Sequence, residues 1–351
     1  MSEHITIGMD LGDRHHVIVV FDNQGNEIAI ERITNTKLEL RKYFQRYPAA
    51  TVAIEAGTHS PWISRELEQL GLVVYVGNPR KLRLIWDSHD KSDEKDARIL
   101  AMVCRVEPRL LWPVKHRNAQ SYSDLELIKA RDMLVQTRTK LINHIRSVVK
   151  SHGERLPSCS AASFARRVAG LLPAQLSQAL SYLIETIADM SQRIVQLERK
   201  IEQLSQQRYP ESQGLQQVAG VGPLTAMAYV LTIEDPSRFS KSRMVGAYLG
   251  LTPRRDQSGA SDKQLRISKA GNRYLRKLLV NCAHYILGRF GPDCDLRRFG
   301  LAMAARGGKN AKKRATVAVA RKLAVLLHRL WASQHCYEPF YAVSSSNRKA
   351  A

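Results

Sequence analysis

Four acidic residues in the amino-terminal third of the chain have the type and spacing of a phosphoryl-transfer site. Asp10 and Glu55 each end a short apolar run with strand character, and Asp93 and Asp96 stand three positions apart in a helical stretch. Residues three apart share one helix face, so these two carboxylates point the same way. If the helix packs on the two strands, the four carboxylates converge, and divalent cations must neutralise them. The pattern predicts that all four ligate Mg²⁺ or Mn²⁺ in a two-ion site that clamps a phosphodiester.

Each acid taken alone has a more ordinary explanation. An acid at the start of a helix, such as Asp93 or Asp96, interacts favourably with the helix dipole. Asp90 and Glu94 are also close enough in sequence to replace Asp93 if the register is misjudged. Only the joint pattern of strand ends and helix start favours a metal site.

The carboxy-terminal part of the chain carries residue types that bind phosphate. Gly220 and Gly222 lie within Leu215–Ala226, a segment typical of a helix-hairpin-helix turn whose amides face a phosphate. Eight basic residues stand against two acidic ones from Arg254 to Lys277, and ten basic residues stand without an acid from Leu296 to Tyr337. Two such runs favour phosphate contacts over a solvated basic face. The residues predicted to bind nucleic acid are Gly220, Gly222, Arg254, Arg255, Lys269, Arg273, Arg276, Lys312, Lys313 and Arg314.

The composition also indicates a polyanionic partner. The 351 residues include 54 Lys and Arg against 32 Asp and Glu, which gives a net charge of +22. Nucleic acid is the expected partner, and no membrane is expected, because no apolar run approaches the length of a spanning helix. Residues 1–22 show no leader pattern, so we expect a cytoplasmic, nucleoid-associated protein. The five cysteines are odd in number and far apart, which predicts reduced thiols.

Residues 1–112 are predicted to form a mixed α/β domain that holds the four acids. Short β-rich runs alternate with helical stretches in the order β-β-β-α-β-α-β-α, and Ser92 can cap the last helix, which runs through Cys104. The predicted strands are His4–Asp10, His16–Phe21, Glu27–Ile33, Thr51–Glu55 and Leu72–Val76.

Residues 113–210 are predicted to form a helical connector. Apolar residues from Leu176 to Leu204 follow one another at alternating steps of four and three, a heptad pattern typical of a coiled coil. We expect this row to mediate a homodimer or homotetramer. Two alternatives are pairing within the chain with the heptad-spaced row from Leu127 to Val148, and two helices of a globular core. Residues 211–340 are predicted to form a mostly helical domain, followed by a disordered tail, 341–351.

The acidic motifs resemble those of a known family. They read Met9-Asp10-Leu11-Gly12, Ala53-Ile54-Glu55-Ala56-Gly57 and Lys91-Ser92-Asp93-Glu94-Lys95-Asp96-Ala97. Together they are similar to the Asp-Glu-Asp-Asp tetrad of RuvC-like domains with a ribonuclease H fold. More specifically, they resemble the bacterial insertion-sequence transposases of the family numbered one hundred and ten.

The second half of the chain carries the same resemblance. Val218–Ala226 is similar to the family's glycine hairpin, and three later motifs are similar to its carboxy-terminal transposase domain. These motifs are Gly250–Arg254, Gln257–Gly259 and Ile267–Asn272. The resemblance runs in order from Ile5 to Leu330 and implies a RuvC-like domain, a coiled-coil connector and a helical transposase domain.

The resemblance implies a DNA recombinase in which Ser258 attacks a phosphodiester and becomes transiently linked to it. The residues alone do not select Ser258, because a serine before glycine in a basic loop is usually a turn residue and no His/Asp partner is recognisable. A metal rather than a side-chain base would then activate the hydroxyl. The basic residues that would steady the phosphate are Arg254, Arg255, Lys269, Arg273 and Arg276.

The resemblance further implies a structured guide RNA, encoded by the element, that pairs with target and donor DNA. The sequence agrees in having no recognisable helix-turn-helix, homeodomain or zinc-finger reader. Two alternatives stay open. One is a hydrolytic Holliday-junction-type nuclease in which Ser258 is structural, and the other is a non-enzymatic architectural protein that binds nucleic acid.

Overall fold

A computed structural model describes residues 4–82, 92–259 and 261–341. The chain divides into two compact units, Met1–Asn118 and Ala119–Ala351. The predicted connector and carboxy-terminal domain therefore share one unit for most of their length, and the three-way division stays a prediction. The predicted disordered tail lies outside the described residues apart from Tyr341.

The first unit is built on a five-stranded sheet in the order β3-β2-β1-β4-β5. β1 pairs antiparallel with β2 and parallel with β4, and β4 pairs parallel with β5. The parallel strands β1 and β4 read as apolar runs because both of their faces are buried. The predicted mixed α/β fold is confirmed and is consistent with a ribonuclease H-like domain. The strands are β1 (Thr6–Leu11), β2 (His15–Phe21), β3 (Glu27–Thr34), β4 (Thr51–Glu55) and β5 (Val73–Gly77).

Helices cover both faces of this sheet. On one face, Leu40 and Phe44 of α1 and Ile63 of α2 share a core with Met9 and Ile54 of the strands. On the other face lies α4, which begins where the Ser92 side chain accepts a hydrogen bond from the Lys95 amide, as predicted. The helices are α1 (Lys37–Phe44), α2 (Ser60–Gln69), α3 (Pro79–Leu82) and α4 (Asp93–Val106), with a 3₁₀ turn at Pro108–Leu111.

Gly8 allows α4 to lie directly on β1. A Cβ at this position would stand 1.9 Å from the Ala97 carbonyl oxygen and 2.7 Å from the Ala101 amide nitrogen. Only a residue without a side chain permits this approach of helix backbone to strand backbone. The position of α4 relative to the strand ends is therefore set by backbone contact at Gly8.

Two long helices dominate the start of the second unit and pair antiparallel. Ile128 of α5 shares a core with Ile201 of α7, and at the opposite end Val149 shares a core with Leu180. Arg138 Nη1 donates to Ser191 Oγ at 3.1 Å near the middle. The α-helices of the described part of this unit are α5 (Ala119–Ser151), α6 (Phe164–Val168), α7 (Ala174–Gln207), α8 (Glu211–Leu215), α9 (Pro223–Ile233), α10 (Met244–Tyr248), α11 (Arg273–Leu287), α12 (Asp295–Ala305) and α13 (Ala311–Ser333).

This pairing changes the interpretation of the heptad row. Four of its residues are buried within the single chain, and α5 supplies the covering surface. The row therefore pairs within the chain with α5, as in the alternative of intrachain pairing. The buried apolar residues of α5 are Leu125, Ile128, Ile142, Ile145 and Val149, however, whereas the row from Leu127 to Val148 is half-buried. The buried members of the α7 row are Leu180, Ile187, Ile194 and Ile201.

The rest of the second unit packs around α9, which is buried from Thr225 to Ile233. α11 and α13 close this core, and Leu125 and Ile128 of α5 join it from the long hairpin. The part is mostly helical as predicted, but it also contains an antiparallel hairpin of β6 (Pro253–Ser258) and β7 (Ser261–Ile267). No helix among the described residues is long and apolar enough to cross a membrane.

Candidate functional site

Asp10 and Glu55 lie side by side at the carboxyl ends of neighbouring strands. The β1–β4 ladder pairs Gly8 with Ala53 and Met9 with Ile54, so the next residue on each strand is one of the two acids. Side chains alternate along a strand, and therefore Asp10 shares a face with Gly8 and Glu55 shares a face with Ala53. Gly8 contacts α4, and Ala53 shares a core with residues of α4. Both half-buried carboxylates are thus on the face that α4 covers.

The direction of α4 places its acids at the same edge. A Cβ at Gly25, in the β2–β3 turn, would lie 2.6 Å from Arg105 Nη1, and Arg105 Nη2 donates to the Asn23 carbonyl at 3.0 Å. That turn is at the edge of the sheet where β1 begins. The carboxyl end of α4 is therefore at the start of β1, and its amino end, with Asp93 and Asp96, lies toward the end of β1. We call this edge, where β1 and β4 end and α4 begins, the acid corner; Asp10, Glu55, Asp93 and Asp96 stand on these element ends.

The donor set of the acid corner consists of carboxylate oxygens, which suit a hard divalent cation. In residues 4–82, 92–259 and 261–341, however, no three His, Cys, Asp or Glu side chains are arranged so that they could hold one ion. Asp10, Glu55 and Asp96 each interact with another group of the chain in this arrangement. Metal ligation by the four acids stays a prediction, supported by their placement. Asp90, the possible substitute for Asp93, lies outside the described residues.

Polar groups that the sequence analysis missed organise the loops at the same edge. Asn35 Nδ2 donates to the carbonyls of Gly12 and Asp13, at 3.2 and 3.0 Å, and thereby holds the turn that follows β1. His59 Nε2 lies 3.3 Å from Asp13 Oδ1 and links that turn to the segment after β4. The sequence signal for Asp13 and His59 was their position just after β1 and β4, and Asn35, which follows β3, carried no comparable signal.

Two histidines near this edge are buried or half-buried. His16 is fully buried on β2, and neither of its ring nitrogens makes a hydrogen bond within the described part of the chain. Burial lowers the pKa of His16. His116 Nε2 lies 2.9 Å from the buried Ser60 Oγ, and burial together with Arg65 lowers the pKa of His116.

Ser258 occupies an exposed position in the second unit. It is the last residue of β6 and pairs with Ser261 across the hairpin tip, so the predicted loop is a strand end. Arg255 Nη2 lies 3.2 Å from Asp262 Oδ2 across the hairpin, and both side chains are largely exposed. An exposed ion pair of this kind contributes little to stability. Arg254 is also exposed on the same strand, so the hydroxyl sits in a basic, accessible setting.

The turn that follows β7 is held tightly against α10. A Cβ at Gly250 would lie 2.3 Å from the Ala270 amide nitrogen, and a Cβ at Gly271 would lie 2.1 Å from the Tyr248 carbonyl oxygen. Lys269, within this turn, is an exposed residue in the left-handed region, with φ of 55°. Such backbone strain persists only where the surrounding structure enforces it.

Two of the predicted phosphate-binding arginines differ in what they do. Arg276 Nη1 donates to the carbonyls of Leu249 and Ala270, at 2.9 and 2.7 Å, and so ties α11 to both sides of the turn. Arg273, one turn earlier on α11, is exposed. The structure therefore gives Arg276 a structural role that its sequence position did not reveal.

The glycine hairpin and the start of α13 supply the other predicted contacts. Gly220 has φ of +82°, and a Cβ there would lie 2.9 Å from Tyr285 Cδ1, so the turn packs on α11. Gly222 is exposed and forms the N-cap of α9. Lys312, Lys313 and Arg314 are exposed in the first turn of α13. The structure contains the tight turn, and phosphate binding by it stays a prediction.

Comparisons with known proteins match two transposase models to successive parts of the chain. A DEDD transposase model of the IS110 group matches residues 7–153. A model described as the IS116/IS110/IS902 transposase family matches residues 212–297. The first match contains all four acids, and the second contains Ser258.

Three relatives extend these matches. A probable family 20 transposase of Pseudomonas aeruginosa is 29% identical over 344 residues, covering 95% of this chain and 98% of the relative. The transposase for insertion sequence element IS1111A of Coxiella burnetii is 30% identical over 351 residues, covering 96% and 92%. A pilin gene-inverting protein of Moraxella bovis is 28% identical over 237 residues, covering 66% and 63%.

Proposed function

The chain belongs to the IS116/IS110/IS902 family of insertion-sequence transposases, and we propose that it cuts and rejoins DNA through a transient phosphoserine link. The observation that supports the proposal is the acid corner, where the ends of β1 and β4 and the start of α4 lie at one edge and each carries acids of the predicted tetrad. A non-enzymatic protein that only binds nucleic acid would gain nothing from several acids at one edge, because carboxylates repel the phosphate backbone.

The acid corner would supply the metal-binding part of the site. Asp10, Glu55, Asp93 and Asp96 would hold Mg²⁺ or Mn²⁺, and the bound ions would stabilise charge that develops on the phosphodiester. Asp10 and Glu55 start from adjacent strand ends, which is compatible with both carboxylates binding one ion. The exposed Asp93 and half-buried Asp96 come from the first turn of α4.

Ser258 would supply the nucleophile. Its oxygen would attack the phosphorus and give its proton to solvent, while the bond from phosphorus to one DNA oxygen breaks and that oxygen takes up a proton from solvent and leaves as a free hydroxyl end. The phosphodiester is thereby exchanged for a serine phosphodiester, so a DNA hydroxyl can later attack the same phosphorus and release the serine without another energy source. Exposure at a hairpin tip with Arg254 and Arg255 on the same strand supports this role, since cations steady the charge of the reacting phosphate.

The gene-inverting relative favours rejoining over hydrolysis. A protein that inverts a gene must restore every strand that it cuts, whereas hydrolysis leaves broken ends. A serine-linked intermediate meets this requirement, because the serine–phosphate bond keeps the energy of the cut phosphodiester until the strands are rejoined. This similarity supports a recombinase over the hydrolytic junction nuclease in which Ser258 is structural.

A guide RNA and self-association complete the proposal. A structured RNA would read target and donor DNA, which is compatible with the net charge of +22. Because α5 covers the buried members of the α7 row, a homodimer or homotetramer would instead use the half-buried members of the heptad rows of α5 and α7. These rows contain Leu127, Leu134 and Leu141 of α5 and Leu183, Met190 and Leu197 of α7.

The test begins with the nucleic acid that co-purifies with the protein, whose sequencing supplies the DNA substrate. End-labelled DNA of that sequence is incubated with Mg²⁺ or with chelator and run on a denaturing gel. We expect a protein–DNA adduct with Mg²⁺ in the wild type and in Ser261→Ala, a control that changes the residue paired with Ser258. No adduct should form in Ser258→Ala.

The other outcomes identify the alternatives. Metal-dependent cleavage without any adduct would indicate the hydrolytic nuclease, and binding without any cleavage would indicate the architectural protein. An adduct that persists in Ser258→Ala, or forms equally well in chelator, would contradict the proposed chemistry.

A further inference from the structure

A groove of about 1270 Å³ runs along the exposed side of α13. Its other walls are α12, the base of the β6–β7 hairpin, and the segment from Tyr337 to Tyr341 that follows α13. The opposite side of α13 is buried in the core through residues such as Val319 and Leu323. The groove is therefore built on an element that the core holds rigidly.

The side chains of α13 that line the groove alternate between cationic and apolar. One row, four residues apart, contains Lys313, Val317, Arg321, Val325 and Arg329, and the adjacent row contains Arg314, Ala318, Lys322 and Leu326. The cations are exposed, and the apolar residues between them are half-buried. Along each row a cation recurs every eight residues, which is a rise of about 12 Å along the helix, and an apolar residue lies between successive cations. We call these levels of the groove the cationic steps and the apolar steps.

The charge of the groove calls for a polyanion. Among the described residues, eight Lys and Arg side chains line it against two acids, Asp295 and Glu338. α13 itself contains no Asp or Glu. Cations gathered in a concave surface focus a positive potential, which attracts an anion that can contact several of them at once.

The apolar steps decide which polyanion fits. Duplex DNA presents its phosphates outward and keeps its bases stacked inside, so it has nothing to place against Val317 or Val325. A single strand offers phosphates and unstacked base faces together. Aromatic rings are also present, since Lys322 Nζ lies 3.9 Å from the Phe299 ring centroid and Arg329 Cζ lies 4.4 Å from that of Tyr341.

We propose that this groove binds a single-stranded segment of nucleic acid, with phosphates on the cationic steps and bases against the apolar steps. The proposal rests on the proposed function, in that the strand is an unpaired part of the DNA or RNA on which the protein works. The groove also lies next to the site of proposed chemistry. Pro253 and Ile267 line it and pair at the hairpin base, and Ser258 is five residues further along β6, roughly 17 Å for an extended strand.

The first experiment measures binding of the full chain to a fluorescent oligo(dT) strand by anisotropy, in chelator so that no cleavage occurs. Arg321→Gln/Lys322→Gln removes the central cationic step. We expect about tenfold weaker binding and a salt dependence shallower by about 1.4, since each phosphate contact to a single strand contributes about 0.7 to the slope. The control Lys241→Gln/Arg243→Gln removes the same charge from exposed positions outside the groove, and should stay within about twofold of wild type.

The second experiment separates bases from phosphates. Val317→Ser/Val325→Ser keeps every cation, and should weaken oligo(dT) binding while leaving an abasic strand of equal length unaffected. The groove variant Arg321→Gln/Lys322→Gln should lose less affinity for a hairpin duplex than for oligo(dT).

Three results would overturn the proposal. The first is an equal loss of affinity for duplex and for oligo(dT) in Arg321→Gln/Lys322→Gln, and the second is an unchanged affinity for oligo(dT) in Val317→Ser/Val325→Ser. The third is displacement of oligo(dT) by polyglutamate at equal charge, which would indicate a groove for an acidic peptide. Because binding is measured without metal, these results are independent of whether Ser258 forms an adduct. Conversely, a wild type that forms no adduct while the groove variants behave as expected would count against the proposed chemistry alone.

Discussion

The acid corner and the Ser258 hairpin place their functional groups by opposite means. Asp10 and Glu55 extend from buried parallel strands. The backbone of α4 contacts β1 at Gly8, and this contact fixes the position of the helix that carries Asp93 and Asp96. Ser258 stands at the exposed tip of a two-stranded hairpin whose own cross-strand ion pair is open to water. The first arrangement depends on packing, and the second depends on exposure. The proposed metal site requires fixed ligands, whereas the proposed serine nucleophile requires access to DNA.

The largest expected effect tests whether the two regions act as one site. Asp10→Asn and Ser258→Ala should each lower strand cleavage by about 10³-fold or more, because each removes a group used only in the chemical step. The double variant should be no slower than the slower single variant, since residues that act as a unit are not additive. Single-turnover cleavage of the co-purified DNA sequence measures all three rates.

Binding provides the control for this comparison. Nucleic-acid affinity should stay near wild type in all three variants, because none of them removes a cation. Strictly additive losses in the double variant would mean that the acids and the serine serve separate steps.

The next effect contrasts glycines in the two regions. Gly8→Ala should lower the free energy of unfolding of the first unit by about 3 kcal/mol, because the new Cβ meets a backbone oxygen that cannot move alone. Gly259→Ala, at the hairpin tip with φ of +54° and open space around it, should cost about 1 kcal/mol. Urea denaturation followed by circular dichroism measures both.

Gly57 is a matched control in the first unit. A Cβ there meets nothing within 4 Å and its φ is not positive, so Gly57→Ala should be near neutral. If Gly8→Ala were as mild as Gly57→Ala, the backbone contact would not be what positions α4.

A smaller effect separates two arginines of the second unit. Arg276→Gln should cost about 1 to 2 kcal/mol of stability, because two carbonyls of the turn lose their donor. Arg273→Gln should leave stability unchanged and weaken nucleic-acid binding instead. Thermal unfolding and anisotropy on both variants test the distinction, and equal destabilisation would show that exposure does not predict which arginine contacts phosphate.

The smallest expected effect is a pH dependence confined to the first unit. The pKa of buried His16 lies below its ordinary value of 6.5, so the unfolded chain binds that proton more readily than the folded chain. Stability should therefore fall as the pH drops below about 6.5, and should be complete above it.

His16→Val should reduce this slope of stability against pH, and His116→Gln should reduce it further, because burial also lowers the pKa of His116. Urea midpoints from about pH 7.5 to about pH 5.5 provide the measurement. A His16→Val protein with an unchanged slope would mean that other groups carry the dependence.

Much of the first unit was predictable because its elements have strong local signals. The β-rich runs gave the strands to within about two residues, with Thr51–Glu55 predicted to the residue, and Ser92 marked the start of α4. The acids at strand ends could be selected because parallel strands bring their carboxyl ends to one edge. The Ser258 hairpin had no such signal, since β6 and β7 carry charged residues on both faces and bury little. Periodicity appears only where one face is removed from water.

The sequence by itself determined the strands of the first unit, the start of α4, the net charge of +22 and the acids near the ends of β1 and β4, because these depend on residues close together in the chain. It also determined that Leu176–Leu204 is an amphipathic helix. Only the tertiary structure decided that α5 covers this helix, that Arg276 is bound to carbonyls while Arg273 is exposed, and that the cations of α13 line a groove. A periodic pattern states which face must be covered, but many apolar surfaces satisfy it equally. The partner is chosen by loop lengths and shape complementarity across the whole unit, which no local stretch of sequence contains.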